Sequence, residues 1–151
     1  RGVTFADNIA ALTASHPGYA DQIAAWQTRW WDMFSGPIPE TEAAIEALHH
    51  QGVRQYVLSN MSHETFDGTF AMSPAFGRIA DQVISGREGV MKPDPAIFRL
   101  ACARFGGAPG DFLFVDDGLH NVEAARAVGL HAHHFADPAA LRPALEGFGL
   151  L

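Results

Sequence analysis

The sequence predicts an α/β protein, with parallel strands covered by helices and an all-helical stretch in front. Three observations carry this. Short strand patterns alternate with helical ones from about residue 37 onward. The run Phe112-Leu113-Phe114-Val115 is apolar at every position, the mark of a strand covered on both faces. Residues 1–36 hold two helical patterns with no strand between them. Strand and helix alternating at this spacing argue a parallel sheet with helices on both faces.

The elements follow in order. Phe5 to Thr13 and Tyr19 to Phe34 read as helices. In the second, Trp26, Trp30 and Phe34 fall on one face by their spacing of four. That stripe reads as packing inside a helical unit, or as an aromatic wall over a ligand site. Ser35-Gly36-Pro37-Ile38-Pro39 is the expected hinge, which divides a partial helical unit (1–36) from an α/β unit (37–151). Glu40 to His50 carries Ala44, Ile45, Ala47 and Leu48 on one helical stripe. Arg54 to Ser59 is the first strand and Gln82 to Ser85 the second. Asp94-Pro95 is a cap followed by proline at the first helical position, and Gly106-Gly107 ends that helix. Phe112 to Val115 is the third strand. Val122 to Val128 is a helix closed by Gly129, and His131 to Phe135 is a weaker fourth strand. Asp137-Pro138 repeats the cap-plus-proline start, with Pro143 expected to bend or shorten the last helix.

Size and composition exclude several function classes. The 151 residues suit one domain, or a domain with a small appendage. At 48% hydrophobic and 18% charged residues the chain is globular and not disordered. Its net charge of −7 has the wrong sign for a nucleic-acid binder. No stretch approaches 18 apolar residues, so no membrane span is expected. Cys102 is the one cysteine, which excludes an internal disulfide and points to a reducing, cytoplasmic setting. Cys102 lies on a stripe with Phe98 and Phe105 and reads as a packing residue.

Three polar signals each follow a predicted strand. They are Ser59-Asn60, then Lys92, then Asp116-Asp117. In an open parallel sheet the carboxyl ends of the strands share one edge, where ligands bind. A hydroxyl, an ammonium and two carboxylates are therefore expected to converge there. Two adjacent carboxylates repel and call for a cation, and carboxylate oxygens are what Mg²⁺ takes. A lysine suits phosphate oxygens. The set together is a phosphoryl-transfer kit, built from positioning and charge neutralisation.

The order hydroxyl, lysine, acidic pair differs from that of a response-regulator receiver. It resembles the haloacid dehalogenase superfamily. Val57-Leu58-Ser59-Asn60 is similar to that superfamily's second motif, and Gly86 through Phe98, with Lys92-Pro93-Asp94-Pro95, to its third. Phe114-Val115-Asp116-Asp117 with Asn121, Glu123 and Gly129 is similar to its fourth. The resemblance runs from about Pro37 to Phe135, and more loosely links 1–36 to the helical cap of one subfamily. It implies a three-layer α/β/α fold. It also implies that Ser59 and Lys92 contact a transferring phosphoryl group, that Asn60 assists, and that Asp116 and Asp117 hold Mg²⁺. The implied partner is a small phosphorylated substrate.

The family's attacking residue is the first Asp of an Asp-x-Asp or Asp-x-Gly motif after an apolar strand. No Asp-x-Asp occurs here, and the chain opens on Arg1. The expectation is a chain that begins inside the cap, lacks the first motif and is inactive alone. Its strands would then have unpaired edges unless they close together or borrow a strand, so a homo-oligomer is possible. The competing readings are a metal-free 2-haloacid dehalogenase, against which Asp116-Asp117 argues, and a non-catalytic phosphate- or metal-binding domain. His63 and His120 fall near the expected crevice. His131, His133 and His134 read as an edge strand more readily than as a metal site.

Overall fold

The computed structural model describes residues 2–151, and Arg1 lies outside them. Helix α1 (Phe5–Ser15) is capped by Thr4, whose hydroxyl accepts the Asp7 N–H. Helix α2 (Ala20–Thr28) follows a short 3-10 turn. The predicted Tyr19–Phe34 helix is broken at Arg29, and Trp30–Met33 form a 3-10 turn. Trp26, Trp30 and Phe34 still meet in sequence, with ring centroids 5.7 Å apart in both contacts. The stripe packs at Trp30, whose ring meets that of buried Phe5 at 5.7 Å, and opens to solvent at Trp26. Trp26 is 52% exposed and Trp30 half-buried.

The remaining elements are α3 (Pro39–His50), β1 (Tyr56–Ser59), α4 (Phe66–Phe70), β2 (Asp81–Ile84), α5 (Ser85–Glu88), α6 (Pro95–Phe105), β3 (Leu113–Asp116), α7 (Leu119–Val128), β4 (His131–His134) and α8 (Leu141–Gly147). Asp94 caps α6 by accepting the Ala96 N–H at 2.9 Å, and Gly106 ends it at φ 76°, a backbone region that favours glycine. Asp137 accepts the Ala139 N–H in the same way, but a 3-10 turn follows and α8 begins only at Leu141. Pro143 thus sits in the first turn of α8, where no N–H is needed, and the helix is shorter than the Asp137-Pro138 start implies.

The strands are parallel and helices cover both faces, as the sequence predicts. Helices α6 and α7 pack Ile97, Phe98 and Val122, each fully buried, against Val83, Phe114 and Ala132. On the other face α3 and α8 meet through Ala44, Leu141 and Leu145, with Leu113 against them.

One feature departs from a single sheet. Among the described residues β1 pairs only with β2, and β3 only with β4. Strands β1 and β3 face each other across a slot of about 380 Å³, lined mostly by apolar side chains. The slot explains a failed expectation. Val115 belongs to the all-apolar run, yet it is 36% exposed, because no strand covers its side of β3. All four residues of β1 are likewise only half-buried.

Candidate active site

Strand β1 ends at Ser59 and β3 at Asp116, so both residues stand at carboxyl ends of parallel strands. Lys92 joins them. It lies between α5 and α6, and its chain position is fixed by Asn60. The Asn60 amide donates to the Lys92 carbonyl at 2.8 Å, and the Lys92 N–H donates to Asn60 Oδ1 at 2.8 Å. Lys92 Nζ then donates to the Leu58 carbonyl at 2.9 Å and to Asp116 Oδ2 at 2.5 Å. The ammonium also lies 5.3 Å from the centre of the Phe114 ring. Lys92 is 7% exposed and Asp116 9%, so this is a buried ion pair.

Asp116 is held from both oxygens. Its Oδ1 accepts the Gly118 N–H at 2.8 Å and the Asn121 amide at 2.9 Å. Burial acts to raise its pKa, but the Lys92 and Asn121 hydrogen bonds, the Lys92 charge and the Gly118 N–H outweigh it, so the carboxyl sits below its ordinary value. Gly118 has no room for a side chain, since a Cβ would lie 2.9 Å from Asn121 Nδ2. Asn121 Oδ1 is buried without a donor beside this carboxylate.

The other predicted residues are placed as follows. Among the described residues the Ser59 hydroxyl makes no hydrogen bond, although Ser59 is half-buried. Asp117 is exposed, and the His134 ring lies 3.0 Å from its carbonyl. His120 is exposed at the start of α7. His63 is half-buried, with Nδ1 buried and without a partner. His131 turns toward Phe148 at 5.9 Å. Among the described residues no three His, Cys, Asp or Glu side chains cluster for a metal. Cys102 is buried in the core cluster with Phe98, as the helical stripe predicts, and burial pushes its thiol up.

Sequence reasoning assigned no contact to three supports of this site. Asn121 was visible, because it lies five residues after Asp116 across a tight glycine turn. The Leu58 carbonyl carries no sequence signal at all. The third is Glu64, whose carboxylate accepts the Phe5 N–H at 2.6 Å and ties α1 to the loop after β1.

A family profile described as haloacid dehalogenase-like hydrolase matches residues 6–129. The chain belongs to that family of hydrolases. It is 31% identical over 93 residues to haloacetate dehalogenase H-2 of Moraxella sp. (strain B), covering 62% of this chain and 42% of that protein. It is 34% identical over 94 residues to a phosphoglycolate phosphatase of Nitrosospira multiformis, covering 62% of this chain and 41% of that protein. The chain thus spans about two fifths of each. Among solved structures, a HAD family enzyme from Bacteroides thetaiotaomicron, in complex with magnesium and inorganic phosphate, superposes with a TM-score of 0.65. The identity is 17%, with 87% of this chain and 70% of that one covered, so this likeness speaks to the fold. No described helix is long and apolar enough to cross a membrane.

Proposed function

We propose that this chain carries most of the active site of a Mg²⁺-dependent phosphatase acting on a small phosphate ester, with residues 1–36 as part of its helical cap. The observation that supports this best is the buried Lys92–Asp116 pair beside the free Ser59 hydroxyl, with a second carboxylate, Asp117, next in sequence. The donor set fits the ion. Mg²⁺ is commonly held by one or two carboxylates, substrate phosphate and retained waters. Asp116 and Asp117 supply the carboxylates, and the unpartnered Asn121 Oδ1 supplies a buried acceptor beside them. When bound, the ion neutralises charge on the transferring phosphoryl group.

The chain's own residues bind and orient. The Ser59 hydroxyl donates to a phosphoryl oxygen. Lys92 is locked by Asn60 and Leu58, so its charge needs no reorganisation during transfer. The resemblance implies that a carboxylate placed at the same edge makes the attack. Asp116 and Asp117 are the Asp residues that stand at the carboxyl end of a described strand, and both are assigned to the cation.

The dehalogenase reading draws on relatives such as the Moraxella enzyme. The acidic pair separates the two readings, since a metal-free site has no use for a second carboxylate at Asp117. The test is calorimetric titration of the 151-residue chain with inorganic phosphate, with and without MgCl₂. Phosphate binding that strengthens with Mg²⁺ and is lost in Asp117→Asn supports the phosphatase reading. Phosphate binding indifferent to Mg²⁺ and to that substitution overturns it.

A further inference from the structure

The hinge between the helical unit and the α/β unit borders a cleft of about 210 Å³, which shares no residue with the Ser59, Lys92 and Asp116 site. Its walls come from both units. Phe34 ends the aromatic row of the helical unit, where its ring meets those of Trp30 and Trp31 at 5.7 and 6.2 Å. Phe76 lies in the 3-10 turn Pro74–Arg78 and stacks on Phe70 of α4, with ring centroids 5.0 Å apart. Ile38 and Met72, both exposed, add to the apolar lining and keep the cleft within reach of solvent. A dry apolar cavity of about 150 Å³ already accepts benzene, so this space suits a single ring on a short chain.

One charge decides what can enter. Glu42 lines the cleft from the first turn of α3 and is half-buried. Its Oε1 accepts the hydroxyl of Ser73, which is 3% exposed and in turn accepts the Ala75 N–H at 3.2 Å. Ser73 thereby fixes one side of the carboxylate. The other oxygen has no donor among the described residues. Arg78, from the same 3-10 turn as Phe76, is committed to both oxygens of Glu46, one turn further along α3, at 3.1 and 3.2 Å. Two hydroxyls share the lining. Thr41 Oγ1 makes no hydrogen bond among the described residues, and Thr69 Oγ1 donates to the Thr65 carbonyl at 3.0 Å with its lone pairs open. We infer that the cleft binds a small primary ammonium carried on one apolar ring. The carboxylate repels an anion, so the cleft is no second phosphate site. A neutral apolar guest would cover the open oxygen without pairing it, which costs more than the contact returns. An ammonium offers three donors, against the three acceptors of Glu42, Thr41 and Thr69. Phe34 and Phe76 supply aromatic surface for the ring. A guest held there touches Phe34 on one side of the hinge and Phe76 on the other, so it braces the helical unit against the α/β unit.

The probe is phenethylamine hydrochloride, with phenethyl alcohol as its neutral counterpart and hydrocinnamate as its anionic one. The readout is methyl NMR of the 151-residue chain near neutral pH, where an alkyl ammonium is charged. The amine is expected to shift the methyls of Ile38, Thr41, Thr69 and Met72 in a saturable way. The alcohol should bind about tenfold more weakly, as loss of a charged hydrogen bond implies. Hydrocinnamate should leave these methyls unmoved. Glu42→Gln keeps an acceptor for Ser73 and should bring the amine down to the affinity of the alcohol. Met72→Trp fills the cleft from an exposed position, so binding should be lost while the circular dichroism spectrum is kept. Equal binding of amine and alcohol, or undiminished amine binding in Glu42→Gln, overturns the ammonium assignment. Saturable shifts confined to other methyls, or none, overturn the site. The readout involves neither phosphate nor Mg²⁺, so it stands apart from the fate of the phosphatase reading.

Discussion

Asn60 and Lys92 hold each other by two hydrogen bonds of 2.8 Å, amide to carbonyl and backbone N–H to amide oxygen. The pair links the end of β1 to the lysine loop across 32 residues of sequence. Asn60 thus acts on position as much as on ligand. Asn60→Ala is expected to lose both bonds, about 1–2 kcal/mol in urea unfolding. Asn60→Asp keeps the acceptor and loses the donor, and should fall between the two.

Lys92→Met should cost about 3–5 kcal/mol, because it strands the buried Asp116 carboxylate. Adding Asp116→Asn removes that stranded charge. The double variant is expected to be more stable than Lys92→Met alone. A double-mutant cycle measures the difference, and strict additivity would refute the coupling.

The acid limb of the stability curve should depend on Asp116. Its folded pKa is depressed, so its contribution is present above the unfolded value near pH 4. That contribution is lost as pH falls through the folded value. Asp116→Asn is therefore expected to flatten the fall in stability below about pH 4. Denaturant midpoints from pH 6 down to pH 2 check this.

The aromatic unit has its own marker. A Cβ on Gly68 would lie 2.4 Å from Trp31 Cη2, so the Trp31 ring rests directly on bare backbone of α4. The clash falls on the far tip of a half-exposed side chain, which can swing away. Gly68→Ala should change stability by less than about 1 kcal/mol while shifting tryptophan emission to longer wavelength. An unshifted spectrum would mean the ring does not sit there in solution.

The 151-residue chain alone is expected to show no turnover of 4-nitrophenyl phosphate above background, even with saturating Mg²⁺. Its strand-end carboxylates are assigned to the cation, and Ser59 has no base within hydrogen-bond reach among the described contacts. Turnover would identify an attacking residue within this chain.

Much of this was legible in the sequence, for local reasons. Asp94 and Asp137 cap as their Asp-Pro pairs predict, and Gly106 and Gly129 end their helices in the left-handed region. The convergence of Ser59, Lys92 and Asp116 followed from their shared place after parallel strands. What failed was nonlocal. The run Phe112 to Val115 records a strand meant to be covered, but covering depends on a neighbour that a local pattern cannot supply. The Tyr19–Phe34 helix failed for a smaller reason. Trp spacing predicts a face, and it does not report that Arg29 leaves the helical region at φ −118°.

The inward-facing slot also sets a valence. An outer sheet edge can recruit strand upon strand and grow without limit. A gap bounded by β1 on one side and β3 on the other is saturated by one guest. The outer edges of β2 and β4 keep the open-ended hazard.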